Sequence, residues 1–191
     1  MKLDKSIAWS FAILVLMAAL YRIIPSRPLG FAPQIAIALF SGSVVANKKY
    51  SFLMPLASMF LSDLLYQALY AAGLSSIQGF YDGQIANYLL FAGLTIIGFG
   101  INKNNVFNIA GGSIAGVLIY FIASNFLVWL GGGLDIAGQP YPKTFAGLSA
   151  CFIAAEPFLK GSFFATMLFS TIFFGSYHLV NKYTAKQAVV S

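Results

Sequence analysis

The sequence predicts an all-α membrane protein with six transmembrane helices, and three observations carry that expectation. The 191 residues are 59% hydrophobic and only 8% charged, against about 25% charged in an ordinary soluble domain. So few charges cannot cover the surface of a water-soluble globule. Apolar stretches recur along the chain, divided by short polar or proline-rich breaks. A bilayer span takes about 20 apolar residues, so six spans use roughly 120 and leave short loops. The expectation is a single integral membrane domain over residues 1–191. The same composition excludes a disordered chain and a nucleic-acid binder.

The first span is expected at about 6–24, behind Lys2 and Lys5. A cleaved leader begins the same way, but Ala18-Ala19-Leu20 runs into Tyr21-Arg22 with no small-x-small cleavage site. A retained helix is therefore expected. Pro25, Pro28 and Pro33 break the chain before a short apolar segment at 34–46, marginal in length for a crossing. Asn47-Lys48-Lys49 ends it. The third span is expected at 51–70, with Pro55 in its first turn, where a missing N–H costs least. A loop over 71–83 leads to the fourth span at 84–101. A polar turn, Asn102 to Asn105, precedes the fifth at 106–130. Residues 131–143 form a second long loop. An apolar stretch over 144–155 reads as a short helix at the membrane face. The last span is expected at 157–179.

Lysine and arginine favour the cytoplasmic side of a membrane. With six spans, one side holds Lys2, Lys5, Lys48, Lys49, Lys103, Lys182 and Lys186. The other holds only Arg22, Arg27, Lys143 and Lys160, together with Asp82, Asp135 and Glu156. Both termini are therefore expected in the cytoplasm, and the two long loops outside. The net charge of +6 is explained by this flanking lysine rather than by an acidic partner.

Polar groups inside spans are costly and usually functional. Asp63 is 12 residues beyond Ser51, or about 18 Å along the helix, in the outer half of the third span. Gln67 follows one turn later on the same face. Arg22 ends the first span, Gln34 begins the second, Asn87 lies near the start of the fourth and Glu156 begins the sixth. Asn125 and Trp129 share a face in the last turns of the fifth. Phe80 and Tyr81, in the outer loop, are placed to lid a pocket. Strong polar groups thus gather toward one side, as in a cup with a sealed floor. Other readings stay open. Arg22 is long enough to snorkel to the interface, or to pair with Asp63 and hold two helices together, and Trp129 suits an aromatic belt.

Ala8 and Ala12 form a small-xxx-small pair, which lets another helix approach closely. The single cysteine, Cys151, excludes an intrachain disulfide, and the single histidine, His178, argues against a histidine-based zinc site. No phosphate-binding Gly-x-x-x-x-Gly-Lys-Ser/Thr, His-Glu-x-x-His or Gly-x-Ser-x-Gly occurs. Neither an ATPase nor an enzyme is expected, and no cofactor or metal. Any pumping must draw on a partner or a gradient.

Four stretches carry a family resemblance: Arg22-Ile-Ile-Pro through Gly30-Phe-Ala-Pro-Gln to Gly42; Phe52-Leu-Met-Pro through Ser62-Asp63-Leu64; Ser124-Asn-Phe-Leu-Val-Trp-Leu130; and Tyr141-Pro-Lys through Ala155-Glu-Pro-Phe158. They resemble a family of small, uncharacterised bacterial membrane proteins over roughly residues 20–175. That family is similar to the S-components, the substrate-binding subunits of energy-coupling-factor vitamin transporters. The resemblance implies a six-helix S-component-like bundle in the bacterial cytoplasmic membrane, with a pocket under the outer loops. It implies a vitamin-like small-molecule ligand, and docking to a separate transmembrane coupling protein and ATPase subunits. Ala8 and Ala12 fit the docking face. Arg22, Gln34, Asp63, Gln67, Tyr81, Asn87, Asn125, Trp129 and Glu156 are the candidate substrate-binding residues. No fingerprint for biotin, riboflavin, thiamine, folate or cobalamin is present. The alternatives are a self-sufficient small carrier, a lipid-directed membrane enzyme and a structural membrane subunit.

Overall fold

A computed structural model describes the backbone of residues 5–190 and the side chains of residues 12–182. The described chain is all-helical apart from one isolated bridge between Leu134 and Pro140. The helices are α1 (Lys5–Arg22), α2 (Gln34–Val44), α3 (Lys48–Ser51), α4 (Leu53–Ala71), α5 (Gln84–Gly98), α6 (Val106–Leu130), α7 (Phe145–Ala154) and α8 (Glu156–Val190). The four-residue α3 runs on into α4 at Phe52, with Pro55 buried in the first turn of α4. Three helical stretches are long and apolar enough to cross a membrane: Lys48–Ala71, Val106–Leu130 and Glu156–Lys182. Their outward side chains are apolar, among them Leu118, Ile122 and Phe126 on α6 and Phe164, Leu168 and Ile172 on α8. Apolar faces of this extent suit lipid rather than water. The described chain is thus essentially all-helical, with three helical stretches suited to a membrane.

The expected spans 84–101 and 34–46 are shorter than anticipated. α5 stops at Gly98. α2 has 11 residues, about 16 Å at 1.5 Å per residue, roughly half the hydrocarbon thickness. It is the centre of the bundle. Every residue from Gln34 to Gly42 is buried, and α2 packs against α4, α5, α6 and α8. Its sequence explains this. Ile35, Ile37, Leu39 and Phe40 point in different directions around the helix, and a helix apolar all round belongs inside. Ala36, Ala38, Ser41 and Gly42 keep it thin. Leu39 and Phe40 join Met59, Phe91, Leu94, Val117 and Phe174 in the main core. The 144–155 stretch forms the expected short helix, α7.

The tightest backbone contact between two helices joins α2 to α5. A Cβ at Gly42 would overlap the carbonyl oxygen of Thr95 and lie 2.9 Å from the Cα of Gly98. A Cβ at Gly98 would lie 2.5 Å from the Leu39 carbonyl oxygen. The two backbones meet with no side chain between them, the packing that small residues allow. Nearby, Ser43 donates to the Ile101 carbonyl (2.9 Å) and Lys48 to the Gly42 carbonyl (3.0 Å). One end of the bundle is closed by backbone packing. The termini of α1, α2, α4, α5, α6 and α8 that carry the polar residues meet at the other end.

Gly42→Val forces the two backbones apart and should cost about 1–3 kcal/mol. Denaturant titration in detergent, read by helicity, checks this. Gly111→Ala, where an added Cβ meets nothing within 4 Å, should leave the transition in place.

Candidate functional site

Asp63 organises the open end. It falls on the buried face of α4 with Met59, Ser62 and Tyr66, the i, i+3, i+4 set of one helix face. It is 1% exposed. Burying a carboxylate costs several kcal/mol unless charge and hydrogen bonds compensate. Here they do. Oδ1 pairs with Arg22 Nη1 from α1. Oδ2 accepts from Gln84 Nε2 (2.7 Å) and Tyr88 OH (2.6 Å), both from the first turns of α5. Arg22 also reaches Ser62 Oγ (2.5 Å) and the Met59 carbonyl (3.4 Å). Tyr66 OH donates to the Arg22 carbonyl at 2.7 Å. One carboxylate thus ties three helices together.

The loop between α4 and α5 is fixed at the same point. Gly79 N donates to Gln67 Oε1 (3.2 Å), and Gln84 Nε2 donates to the Gly79 carbonyl (3.2 Å). A Cβ at Gly79 would overlap the Asp63 carbonyl oxygen and lie 2.6 Å from Gln67 N. Only glycine lets the loop lie this close to α4.

Two cavities open at this end. One, of about 390 Å³, lies between Arg22, Arg27, Asp63, Tyr66, Ile77 and Tyr81. Arg27 comes from the proline-rich link after α1. It donates from Nε to the Arg22 carbonyl (2.8 Å) and from Nη1 to the Phe31 carbonyl (3.4 Å). The second cavity, of about 310 Å³, lies between α6, α7 and the start of α8. Its walls include Tyr120, Asn125, Leu134, Tyr141, Cys151 and Phe158. Burial pushes the Tyr141 phenol pKa up, so this hydroxyl is neutral at physiological pH. A chain of three side chains links the cavities. Tyr120 OH donates to Asn87 Oδ1 (2.9 Å), and Asn87 Nδ2 donates to Tyr81 OH (3.0 Å).

The expected site residues divide accordingly. Arg22, Asp63 and Tyr81 line the first cavity and Asn125 the second, with Asn87 between them. Asn125 Nδ2 bonds its own helix at the Phe121 carbonyl (2.8 Å). Gln67 serves the loop rather than a cavity wall. Trp129 Nε1 donates to the Pro142 carbonyl (2.8 Å), and Lys143 lies over its ring (5.2 Å) while donating to the Leu130 carbonyl (2.8 Å). Trp129 therefore holds the second long loop against the end of α6. Gln34 is buried in the bundle, with Nε2 on the Ala18 carbonyl (3.5 Å) and Oε1 unpaired among the described residues. Glu156 lines neither cavity: it is exposed and pairs with Lys160 at 2.6 Å. The i, i+4 spacing of that pair was readable in the sequence. Ala12 is exposed on α1, and the side chain of Ala8 lies outside the described residues. His178 Nε2 lies 2.6 Å from the Lys103 carbonyl oxygen, on the surface. Sequence reasoning missed Arg27, Gln84 and Tyr88. The four-residue spacing of Gln84 and Tyr88 places both on one face of α5 and could have found them.

Asp63→Ala leaves Arg22 without its counter-charge and should destabilise the protein by about 3–5 kcal/mol. Replacing the pair together, Arg22→Leu with Asp63→Leu, should cost less than Asp63→Ala alone. Denaturant titrations of the two variants in detergent compare them. Glu156→Gln removes only an exposed pair and should change stability by at most about 1 kcal/mol in the same assay.

No curated protein and no solved structure matches the chain. A family model described as "Family of unknown function (DUF6580)" matches residues 2–188. That match spans nearly the whole chain, and the protein belongs to the DUF6580 family.

Proposed function

We propose that the protein is a membrane-embedded substrate-binding subunit. It captures a vitamin-like small molecule at the end bearing Asp63, for uptake energised by a separate ATPase module. The observation that carries the reading is the asymmetry of the bundle. Both cavities open at one end, and backbone packing around Gly42 and Gly98 closes the other. A channel or proton relay needs polar groups along its whole path; a capture subunit needs a one-ended pocket. Volumes of about 310 and 390 Å³ fall at the small end of ligand pockets.

In this reading six helical segments form the bundle, with both termini in the cytoplasm and the cavities facing out of a bacterial cell. α2 is shielded by its neighbours rather than by lipid. α1 packs chiefly on α4 and leaves Ala12, Ile13, Leu16, Met17 and Leu20 exposed. That apolar face, with small Ala12, is where a transmembrane coupling protein docks.

The protein purified in mild detergent should carry a stoichiometric vitamin-sized adduct in native mass spectrometry. Uptake of that molecule by cells should require the coupling protein and ATPase subunits. An empty protein that ignores a vitamin panel in thermal-shift assays would sink the reading. Uptake without any ATPase would favour a self-sufficient carrier.

A further inference from the structure

The charges around the first cavity do not balance, and the imbalance points to its ligand. Among the described residues the only ion pairs are Arg22–Asp63 and Lys160–Glu156. Asp63 is consumed by Arg22, Gln84 and Tyr88, so it offers nothing to a second cation. Arg27 lines the same cavity and among the described residues bonds only neutral carbonyl oxygens. Its Nη2 and the Nε and Nη2 of Arg22 make no hydrogen bond among the described residues. Two half-buried guanidiniums therefore face one pocket with one carboxylate between them, leaving a single positive charge over. Asp82, next in sequence to the lining residue Tyr81, forms no ion pair among the described residues.

An arginine is always protonated at physiological pH and cannot relieve burial by losing its charge. Its planar fork suits a planar carboxylate. The rest of the lining is Tyr66, Tyr81, Ile77 and Gln78, a wall for an apolar or aromatic body. The Tyr81 oxygen accepts from Asn87, which leaves its own hydrogen for an acceptor in the cavity. We infer that this cavity binds a small monocarboxylate. Arg27 and the free edge of Arg22 hold its carboxylate, and Tyr66 and Tyr81 contact its body. This rests on the capture reading above and names the class of molecule captured. The excess of one charge matches a single anionic group better than a doubly charged phosphate monoester.

The test compares acids with their own amides, which share shape and lack charge. Benzoate, phenylacetate and indole-3-acetate are titrated against benzamide, phenylacetamide and indole-3-acetamide. The purified full chain is followed in detergent by thermal shift and calorimetry. At least one acid should stabilise the protein where its amide does not. Arg27→Gln should weaken that acid about tenfold or more, the loss expected of a charge-assisted hydrogen bond, and Arg27→Lys by less. Acids and amides acting alike on the unaltered protein, or no response to any acid, would overturn the assignment, and neither readout depends on a variant folding. So would an unchanged affinity in a folded Arg27→Gln protein. In nanodiscs, loss of the acid's effect when phosphatidylglycerol replaces phosphatidylcholine would reassign the site to a lipid headgroup. Cellular uptake tests the capture reading separately: acid binding through Arg27 without uptake keeps the site and rejects capture, and energised uptake of an uncharged ligand does the reverse.

Discussion

A carboxylate buried to 1% exposure in a chain with so few charges must be fully compensated, and that requirement shapes the open end of the bundle. Compensation draws Arg22 from α1 and the Gln84 and Tyr88 side chains from α5. Once Arg22 is fixed there, Tyr66 and Arg27 gather on its carbonyl. Once Gln84 is fixed there, the loop carrying Gly79 and Tyr81 is held over the same spot. Replacing a buried pair by apolar groups is often neutral or even stabilising. Stability alone therefore does not explain why Asp63 and Arg22 are charged. Their placement on a cavity wall gives the charges something to do.

The two ends of the molecule are built on different physics. At the closed end, helices meet through glycine and small hydroxyl residues, and dispersion between backbones does the holding. Ser113 and Ser170, hydrogen-bonded at 3.0 Å between α6 and α8, continue that small-residue packing in the middle of the bundle. At the open end, backbone meets backbone where links lie on helices, as at Gly79 on α4, while long polar side chains span the gaps between the helices themselves. The first kind of packing leaves no space, and the second leaves cavities. Ligand capture at one end follows from that division, not from any one residue.

Much of this was legible in the sequence, and the omissions have physical causes. Composition and the length of apolar runs identify a helical membrane protein, because the bilayer admits few alternatives. Asp63 stood out because a carboxylate in an apolar helix has few innocent explanations. Pairing with Arg22 was one of the readings the sequence left open, and the two side chains do pair; the other partners of that carboxylate were harder to see. Gln84 sits at a loop-to-helix junction, where polar residues are ordinary. Arg27, which lines the same cavity without bonding Asp63, sits in a proline-rich break that reads as a simple flank. Pairing across more than twenty residues depends on tertiary packing, which no local pattern records. Glu156 misled for the opposite reason. An acidic residue at a helix start is satisfied locally, by Lys160 one turn on, and needs no cavity. The central position of α2 was hidden because a short apolar segment looks the same whether lipid or protein surrounds it.

The Tyr120–Asn87–Tyr81 chain has two polarities. In the arrangement seen, Tyr120 gives its proton to the Asn87 carbonyl oxygen and the amide gives one to Tyr81. Turning the Asn87 amide over reverses every link, so that Tyr81 gives inward and Tyr120 receives. The chain has only one spare proton at its ends. When that proton points into the arginine-lined cavity, the Tyr120 end has none to give; when the chain reverses, the second cavity gains a donor and the first loses one. A hydrogen-bond acceptor bound on one side therefore sets what the other side can recognise, with no helix having to move.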